Sequence, residues 1–423
     1  MEQTRSSYQR TYHLVQQSPL IHFQYYEHKA ALRASEVKSK LDRFLTELLG
    51  GRDAVRENHL NWLGKFSRSN IAHTSVFSYD YKMQITANKP ITRTTTTETG
   101  LYHLMDDTQK VQQIQGYFFE NRPSGKTLFD KKISVIKSYK EALRYKEGLS
   151  LTITCFIPEL LALIDEYLPA FFVLRGFGTR KAMGYGSFLI ENTDVKAELI
   201  KLRNLGNHPF FYIETPAGNP LQQLMEIETI FRLLKGGINL ASGDYFKGFI
   251  FRYFLEQGIG NEKAFAKQDE NLLGSLYQNG EQRQKKTEEY RFIRAMLGLS
   301  SFYQHPAYRE KIVLWDTNGE IEKFASPTRF KMAENYILLF PEPIPEELFD
   351  RTFTFRSEYG MAELKTPTKE QFDFMEFLRA FAADFNDKEG TKGGKTSLSS
   401  AKSSIFHRIK REDYIIREGT ELE

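Results

Sequence analysis

A glycine-rich, basic stretch between two apolar runs constrains the fold of this chain more than any other feature. Residues 175–187 read Arg-Gly-Phe-Gly-Thr-Arg-Lys-Ala-Met-Gly-Tyr-Gly-Ser, with Phe171–Leu174 before them and Phe188–Ile190 after them. Glycine permits positive φ and a close approach of the backbone to a ligand, and amides in such a loop can bind an anion. Because arginine and lysine suit phosphate, the stretch predicts a basic loop that is held on a β-scaffold and faces a polyanion. The alternative is that the glycines mark only strand turns and that the cations are merely solvated.

The glycine spacing excludes two nucleotide-binding loops. Lys181 stands where the dinucleotide fingerprint needs its third glycine, and the Gly-Lys-Ser/Thr ending of a P-loop is missing. A second stretch, Gly390–Thr396, is superficially like a P-loop, but Glu389 stands where its first glycine belongs. We therefore predict that the loop follows the backbone of a polyanion and has no nucleoside triphosphate pocket. The predicted contact residues are Arg175, Gly176, Gly178, Arg180, Lys181, Gly184 and Gly186.

Composition bounds the remaining possibilities. A chain of 423 residues predicts two or three domains. The net charge of +4 is mild, so a polyanion site must come from local clusters of cations. The single cysteine, Cys155, excludes an intrachain disulfide and a multi-cysteine zinc site. Neither a signal peptide nor a membrane span is visible, so we expect a cytoplasmic protein without a membrane or a cofactor.

The first 190 residues alternate strands and helices. A strand over Arg10–Gln17 precedes a helix from Ala34 to about Leu49, with Ser35 as its N-cap and with apolar residues at helical spacing. Basic residues accompany this helix at Arg33, Lys38, Lys40 and Arg43, whereas Asp42 and Asp165 are read as ordinary surface charges. The further predicted elements are strands at Ser75–Thr86, Ile114–Glu120 and Leu149–Pro158, a helix at Glu159–Leu168, and strands at Phe171–Leu174 and Tyr185–Ile190. This strand–helix–strand–strand–helix–strand order predicts an α+β, ferredoxin-like (RRM-like) domain over residues 1–195.

The second half predicts another domain over residues 196–423. A helical insertion is expected at about 221–300, from the apolar pattern of Leu221–Leu234 and Tyr245–Gln257. Strands are expected at Lys311–Trp315, Tyr336–Phe340 and Arg351–Phe355, and a helix at Lys369–Phe385. Residues 387–404 are rich in Gly, Ser, Thr and Lys and include Lys392 and Lys395. We read them as a basic loop, which is either a solvated linker or a contact for phosphate.

Three segments together resemble one family, the RAMP superfamily of CRISPR-associated proteins. The first runs from Gln17-Ser-Pro-Leu-Ile-His-Phe23 to a helix with basic residues just inside it, and the second is Gly176–Gly186. The third is Glu322–Phe330, followed by Ile337–Phe340, which is similar to the family's "ASP-x-x-x-K" hairpin. The early position of the glycine stretch most resembles the family of the first-numbered subunit of the type III-B Cmr effector complex.

The resemblance implies RAMP domains, a role in antiviral defence and a place in a ribonucleoprotein. The implied partners are crRNA or its target RNA and other CRISPR effector subunits. It adds Arg329 and Lys331 of the hairpin to the expected RNA-binding residues. Two departures from the family pattern are Ala34-Ser35 at the helix start, in place of Gly-Ser-Ser, and the sparse basic run at Lys181.

Two function classes remain open at the level of sequence. One is an RNA-binding subunit without catalysis, and the other is a metal-independent crRNA-processing endoribonuclease. A third, weaker possibility is a protein–protein scaffold whose glycine loop packs against a neighbouring subunit. The endoribonuclease usually needs a general base, often histidine. His22 is the best candidate because it follows the first strand, but no partner residue is evident and a packed or loop histidine is the simpler reading. No metal-ligand motif is visible either, so we expect binding rather than catalysis.

Overall fold

The computed structural model of the chain describes residues 7–21, 32–69, 77–87, 92–95, 101–105, 111–115, 141–145, 147–216, 220–239, 245–274, 289–304, 311–387 and 415–423. The chain divides into two compact units, and each is built from separate segments. The first comprises Met1–Ile227, Phe330–Phe340 and Gly419–Glu423, and the second comprises Glu228–Arg329 and Pro341–Glu418. The boundary predicted at residue 195 falls inside the first unit, and the division into two RAMP-like domains stays a prediction.

The first part of the chain contains both strands and helices. They are β1 Gln9–Gln16, α1 Ala34–Leu48, α2 Arg52–Asn58, α3 Lys65–Ser69, β2 Lys82–Ala87, β3 Thr92–Thr95, β4 Leu101–Met105, β5 Val111–Gln115, β6 Glu141–Arg144, β7 Leu149–Thr154, α4 Pro158–Leu174, β8 Phe188–Ile190, α5 Val195–Asn204, β9 Phe211–Glu214 and α6 Pro220–Phe231.

The remaining elements are mostly short strands. They are β10 Ile238–Asn239, β11 Tyr245–Phe246, α7 Phe249–Glu256, β12 Ile259–Asn261, α8 Glu262–Gln268, β13 Glu289–Arg291, β14 Phe302–Gln304, β15 Lys311–Asp316, β16 Thr328–Ala333, β17 Tyr336–Pro341, β18 Thr352–Arg356, β19 Met361–Lys365, α9 Phe374–Asn386 and β20 Arg417–Glu418. Single turns of π-helix lie at Arg232–Gly236 and Glu270–Gly274, and 3₁₀ turns lie at Leu60–Trp62, Ile293–Leu297, Glu346–Leu348 and Gly419–Glu421.

The main sheet of the first unit has the strand order β2-β7-β1-β8 and is antiparallel throughout. Tyr12 of β1 pairs with Leu151 of β7, and Leu14 pairs with Leu149. Alternate residues of both strands are buried, because side chains of a strand point to opposite faces of the sheet. Helices α1 and α4 bury their apolar residues in the same core. A second sheet, in the order β16-β17-β9-β20, contains the β16–β17 hairpin.

The second unit contains an antiparallel sheet in the order β14-β15-β18-β19 and a cluster of aromatic side chains. Phe249 of α7 lies 5.4 Å from Phe377 and 5.5 Å from Phe381 of α9, between ring centroids. The apolar residues of this last helix are therefore part of the core. The short pairs β3-β6, β4-β5, β10-β11 and β12-β13 complete the described strands, and only the last of these is parallel.

The fold class is α+β, as predicted, but three details of the sequence reading are wrong. Phe171–Leu174 is the last turn of α4 and not a strand, although Pro169 lies within this helix. All four of these residues are buried, and a fully buried apolar run does not distinguish a strand from a helix. Arg33, not Ser35, is the N-cap of α1. Asp42 is not a surface charge but a buried residue of this helix.

None of the helices in the described part of the chain combines the length and the apolar character that a bilayer crossing needs. Cys155 is a free, buried cysteine that packs in the core of the first unit.

Candidate nucleic-acid interface

Residues 175–187, here called the glycine loop, connect α4 to β8 and lie against the segment that follows β1. The Gly186 amide donates a hydrogen bond to the Pro19 carbonyl at 2.9 Å. The Thr179 amide donates to the Ile21 carbonyl at 2.7 Å. The first and second segments that carry the family resemblance are therefore in direct contact.

Three glycines of the loop have left-handed backbone conformations. The φ angle is 73° at Gly178, 82° at Gly184 and 65° at Gly186. A Cβ atom at Gly186 would lie 1.9 Å from the Phe177 carbonyl oxygen, and one at Gly178 would lie 2.4 Å from that of Ile21. The space that these missing side chains leave is filled by the protein itself. The glycines are thus required for the loop's own packing, and their predicted contact with a polyanion stays a prediction.

One stripe of α1 follows the glycine loop. The Glu36 carboxylate accepts a hydrogen bond from the Gly178 amide at 2.9 Å and one from the Lys40 ammonium at 2.7 Å. Lys40 also donates to the Gly176 carbonyl at 2.9 Å. The Gly178 amide thus already donates to a carboxylate oxygen, as it could to a phosphate oxygen. Through Glu36 and Lys40, helix α1 also fixes the first half of the glycine loop.

The same stripe continues over two further turns of the helix. Arg175, at the start of the loop, lies 3.3 Å from the Glu47 carboxylate. Arg33 and Arg43 are exposed. They are spaced three or four residues from the members of the stripe, and residues at this spacing share a helix face. The structure therefore brings four of the predicted cations, Arg33, Lys40, Arg43 and Arg175, to one side of α1.

A further cation, Lys181, lies beside this stripe. A Cβ atom at Gly176 would lie 3.3 Å from the Lys181 Cβ, and the Gly176 carbonyl accepts from Lys40. Burial is the main cause that lowers the pKa of Lys40, and Glu36 opposes it. The charges of Lys181 and Arg175 lower the pKa of Lys40 further. Lys40, Arg175 and Lys181 are thus close enough for their charges to repel one another, and a polyanion would relieve that repulsion.

Arg180 and Lys181 form a turn within the glycine loop. Arg180 has a φ of 58°, which is uncommon for a residue other than glycine. Its carbonyl accepts a hydrogen bond from the Met183 amide at 2.8 Å and closes the turn. Lys181 is exposed and Arg180 is half-buried.

Lys331 binds backbone carbonyls at both ends of the glycine loop. Its ammonium group donates to the Arg175 carbonyl at 2.8 Å and to the Phe188 carbonyl at 3.2 Å, and the residue is only 1% exposed. Strand β16, to which it belongs, runs beside the loop, where the Phe330 amide donates to the Ala182 carbonyl at 3.0 Å. The lysine that the sequence assigned to RNA is therefore engaged inside the protein.

Two more predicted cations are occupied by carboxylates. The Lys38 ammonium lies 2.8 Å from the Asp42 carboxylate and 4.0 Å from the centroid of the Tyr81 ring. Burial raises the pKa of Asp42, whereas the charge of Lys38 and its hydrogen bond oppose that rise. Arg329, in the second unit, is buried and pairs with Glu342 at 2.5 Å. Lys38 is not three or four residues from any member of the stripe, and Arg329 belongs to β16, so neither residue joins the stripe on α1.

Three predicted residues, His22, Lys392 and Lys395, lie outside the described residues. Within the described ranges, no three His, Cys, Asp or Glu side chains are grouped closely enough to hold a metal ion. The predicted absence of a cofactor stays a prediction.

Family comparison decides what kind of chain carries this surface. The sequence model of the Cmr1 N-terminal domain matches residues 7–238, and that of the Cmr1 C-terminal domain matches residues 245–410. The chain belongs to the Cmr1 family. Membership confirms the resemblance drawn from the sequence and makes the chain a type III-B CRISPR-associated protein of the effector-subunit kind. No curated protein matches it.

Sequence reasoning missed two residues that shape the surface. Glu36 was not singled out, although its i,i+4 spacing to Lys40 is a recognisable helix pair. The structural role of Lys331 has no local signal, because the carbonyls that it binds are more than 140 residues away in the sequence.

Proposed function

We propose that this chain binds RNA as a subunit of a type III-B CRISPR effector complex that serves antiviral defence. Its ligand is crRNA or the duplex of crRNA with target RNA. The observation that carries the proposal is the pairing of the glycine loop with one stripe of α1. This pairing gathers Arg33, Lys40, Arg43, Arg175 and Lys181, with Arg180 in the turn between. We call this set the basic stripe.

The backbone amides of the glycine loop contribute less to this binding than the sequence suggested. Several of them already donate to protein acceptors, among them Gly178 to Glu36 and Gly186 to Pro19. The side chains of Arg180 and Lys181 therefore carry the contacts with phosphate. Because phosphate contacts carry no base information, the proposed binding is independent of RNA sequence.

The first unit is, in this proposal, a ferredoxin-like RAMP domain. The four strands of its main sheet occur along the chain as β1, β2, β7 and β8, with α1 after the first and α4 after the third. Numbered one to four in that order, they lie in the sheet as 2-3-1-4. This is the arrangement of a ferredoxin-like split βαβ fold, and it supports the fold predicted from the sequence.

The test replaces Arg180 and Lys181 by alanine and measures RNA affinity against salt concentration. Each phosphate contact on single-stranded RNA contributes about 0.7 to the slope of log K against log salt, so the slope should fall by roughly 1.4. The matched control replaces Arg52 and Lys196, which are exposed on α2 and α5. It removes the same charge and should leave the slope unchanged.

Three readouts decide the outcome. An unchanged slope in the Arg180/Lys181 variant would contradict the role of the basic stripe. Thermal unfolding should hardly move, because exposed charges contribute little to stability. Incubation of the parent protein with repeat RNA in EDTA tests the alternative, a metal-independent crRNA-processing endoribonuclease. Cleavage there would favour the alternative over binding alone.

A further inference from the structure

The sheet β14-β15-β18-β19 of the second unit has one buried face and one exposed face. Ile312, Leu314 and Asp316 of β15 are buried, whereas the residues between them are exposed. On the buried side, the Phe292 ring lies 5.4 Å from Phe353 and 5.1 Å from Phe355, between ring centroids. The core of the unit therefore accounts for one face only.

The exposed face carries a row of residues that crosses all four strands. Phe302 pairs with Val313, Val313 with Arg356, and Arg356 with Met361. Trp315 lies two residues along β15 from Val313 and is therefore the diagonal neighbour of Phe302. Side chains in such a diagonal relation are about 7–8 Å apart and within reach of each other when they are aromatic.

These side chains are unusually exposed for their type. The exposed fraction is 43% for Phe302, 38% for Val313, 41% for Trp315 and 58% for Met361. Single exposed apolar residues are normal on a protein surface, but a contiguous set on one sheet face marks a binding site. We call this set, together with Arg356, the aromatic row.

Cations are interleaved with the aromatic row. Arg356 is exposed in the middle of it, and the Lys311 ammonium lies 4.6 Å from the centroid of the Phe302 ring. The acidic side chain on the same face, Glu363, stands opposite Thr354 in the next row of the sheet. Lys365 lies on the same face but is paired with Asp350 at 3.0 Å. Arg356 and Lys311, set against the single carboxylate of Glu363, make the face complementary to an anion that also offers flat apolar surfaces.

We propose that the aromatic row is a stacking platform for single-stranded RNA, with bases on Trp315 and Phe302 and phosphates beside Arg356 and Lys311. Exposed aromatics on a four-stranded sheet stack two or three bases in RNA-binding modules. Stacking tolerates any sequence because every base has a π-face. This inference rests on the proposed function, since it adds a second RNA contact on the other unit. An apolar protein partner fits the face less well, because it leaves the two cations without counter-charges.

Trp315 itself supplies the reporter for the test. The chain has two tryptophans, so a Trp62→Phe variant leaves Trp315 as the single indole. Titration of this variant with oligouridylate and oligoadenylate should quench its fluorescence, because a base stacks on the ring. An abasic oligonucleotide of the same length is the matched ligand without bases. It should quench far less at the same bound fraction.

Affinity measurements complete the experiment. Trp315→Ala should weaken the binding of oligoadenylate about tenfold, whereas Trp315→Phe should retain most of it. The control is Phe156→Ala, which truncates an aromatic residue that is 77% exposed in the first unit. Absence of quenching, together with parental affinity in Trp315→Ala, would overturn the proposal. So would a change in oligomeric state on Trp315→Ala without a change in RNA binding, since the face would then be a protein interface.

The two proposals fail in distinguishable ways. The quenching experiment is repeated in the Arg180→Ala/Lys181→Ala background, in which the basic stripe is weakened. Quenching that persists there supports the aromatic row whatever the basic stripe does. Quenching that disappears there contradicts an independent contact on the second unit. A salt slope that falls without any quenching in the Trp62→Phe variant upholds the basic stripe and overturns the aromatic row.

Discussion

At the scale of single residues, the backbone geometry of the loop alone is enough to require its glycines. Gly186 has a φ of 65°, and its missing side chain faces the Phe177 carbonyl. Gly206, just after α5, has a similar φ of 74°, but no atom lies within 4 Å of its absent Cβ. Comparing Gly186 with Gly206 therefore separates two destabilising effects of replacing a glycine. One is the strain of a left-handed backbone at a residue with a side chain, and the other is the steric clash of the added Cβ.

We expect Gly186→Ala to destabilise the protein far more than Gly206→Ala. Both variants incur about 1–2 kcal/mol for a left-handed alanine, but only the first drives a Cβ into a carbonyl oxygen. The difference in the free energy of unfolding should exceed about 2 kcal/mol, because strain in a packed site adds to the conformational cost. Urea unfolding followed by circular dichroism measures it. Equal effects would mean that the loop relaxes freely around residue 186.

The sequence could predict that these glycines adopt positive φ, but not which atoms leave no room for a side chain there. The run of glycines indicated positive φ, and Gly178, Gly184 and Gly186 adopt it. The atoms that they would strike belong to residues as distant in sequence as Ile21 and Ile227. Asp42 was misjudged for the same reason, since its partners Lys38 and Tyr81 enclose it only after folding.

At the scale of elements, strand β16 is the support on which the glycine loop lies. Lys331 binds the carbonyls at the two ends of the loop, and the neighbouring backbone of the strand pairs with its middle. The sequence predicted α1 correctly from the helical spacing of its apolar residues. The hairpin was expected from the family resemblance alone, since its two strands are buried along almost their whole length and show no alternation. The last turn of α4 was misread as a strand, because a fully buried apolar run does not distinguish a strand from a helix.

Lys331→Met should lower RNA affinity without changing its salt dependence. The substitution removes the Lys331 donor from the Arg175 carbonyl and from the buried Phe188 carbonyl, which costs about 2 kcal/mol of folding stability. A loosened loop must be ordered on binding, so affinity falls at every salt concentration. Arg180 and Lys181 still reach phosphate, so the slope stays at the parental value. Fluorescence anisotropy of labelled RNA across a salt series measures both quantities.

The control for Lys331→Met is an exposed lysine of the same unit. Lys196→Met removes an exposed lysine of α5 and should alter neither stability nor affinity appreciably. A reduced salt slope in Lys331→Met would mean that Lys331 contacts phosphate directly. Its role would then be the one that the family resemblance implied.

At the scale of the whole molecule, the first unit is assembled from three separate stretches of chain. Its N-terminal stretch ends at Ile227, yet Phe330–Phe340 and Gly419–Glu423 belong to the same unit. Strand β17 pairs with β9, with Leu338 opposite Tyr212. The order of elements along the sequence suggested two domains that follow one another. It could not show that residues 330–340 return to the first unit, because only the long-range pairing of β17 with β9 brings them there.

A fragment of residues 1–231 should therefore fail to reach the native state. It keeps β9 but lacks β17, and it lacks Lys331 under the glycine loop. Joining residues 328–341 to its C-terminus through a flexible Gly/Ser linker should restore cooperative unfolding. The entropy lost on closing the linker is small compared with the free energy gained when the hairpin buries its apolar surface.

The control carries Leu338→Asp in the joined hairpin, where a fully buried position would receive a charge. Thermal unfolding of the three proteins is compared by circular dichroism. If residues 1–231 alone unfold as cooperatively as the joined form, the hairpin is dispensable for the first unit, and the glycine loop does not depend on Lys331 for its position.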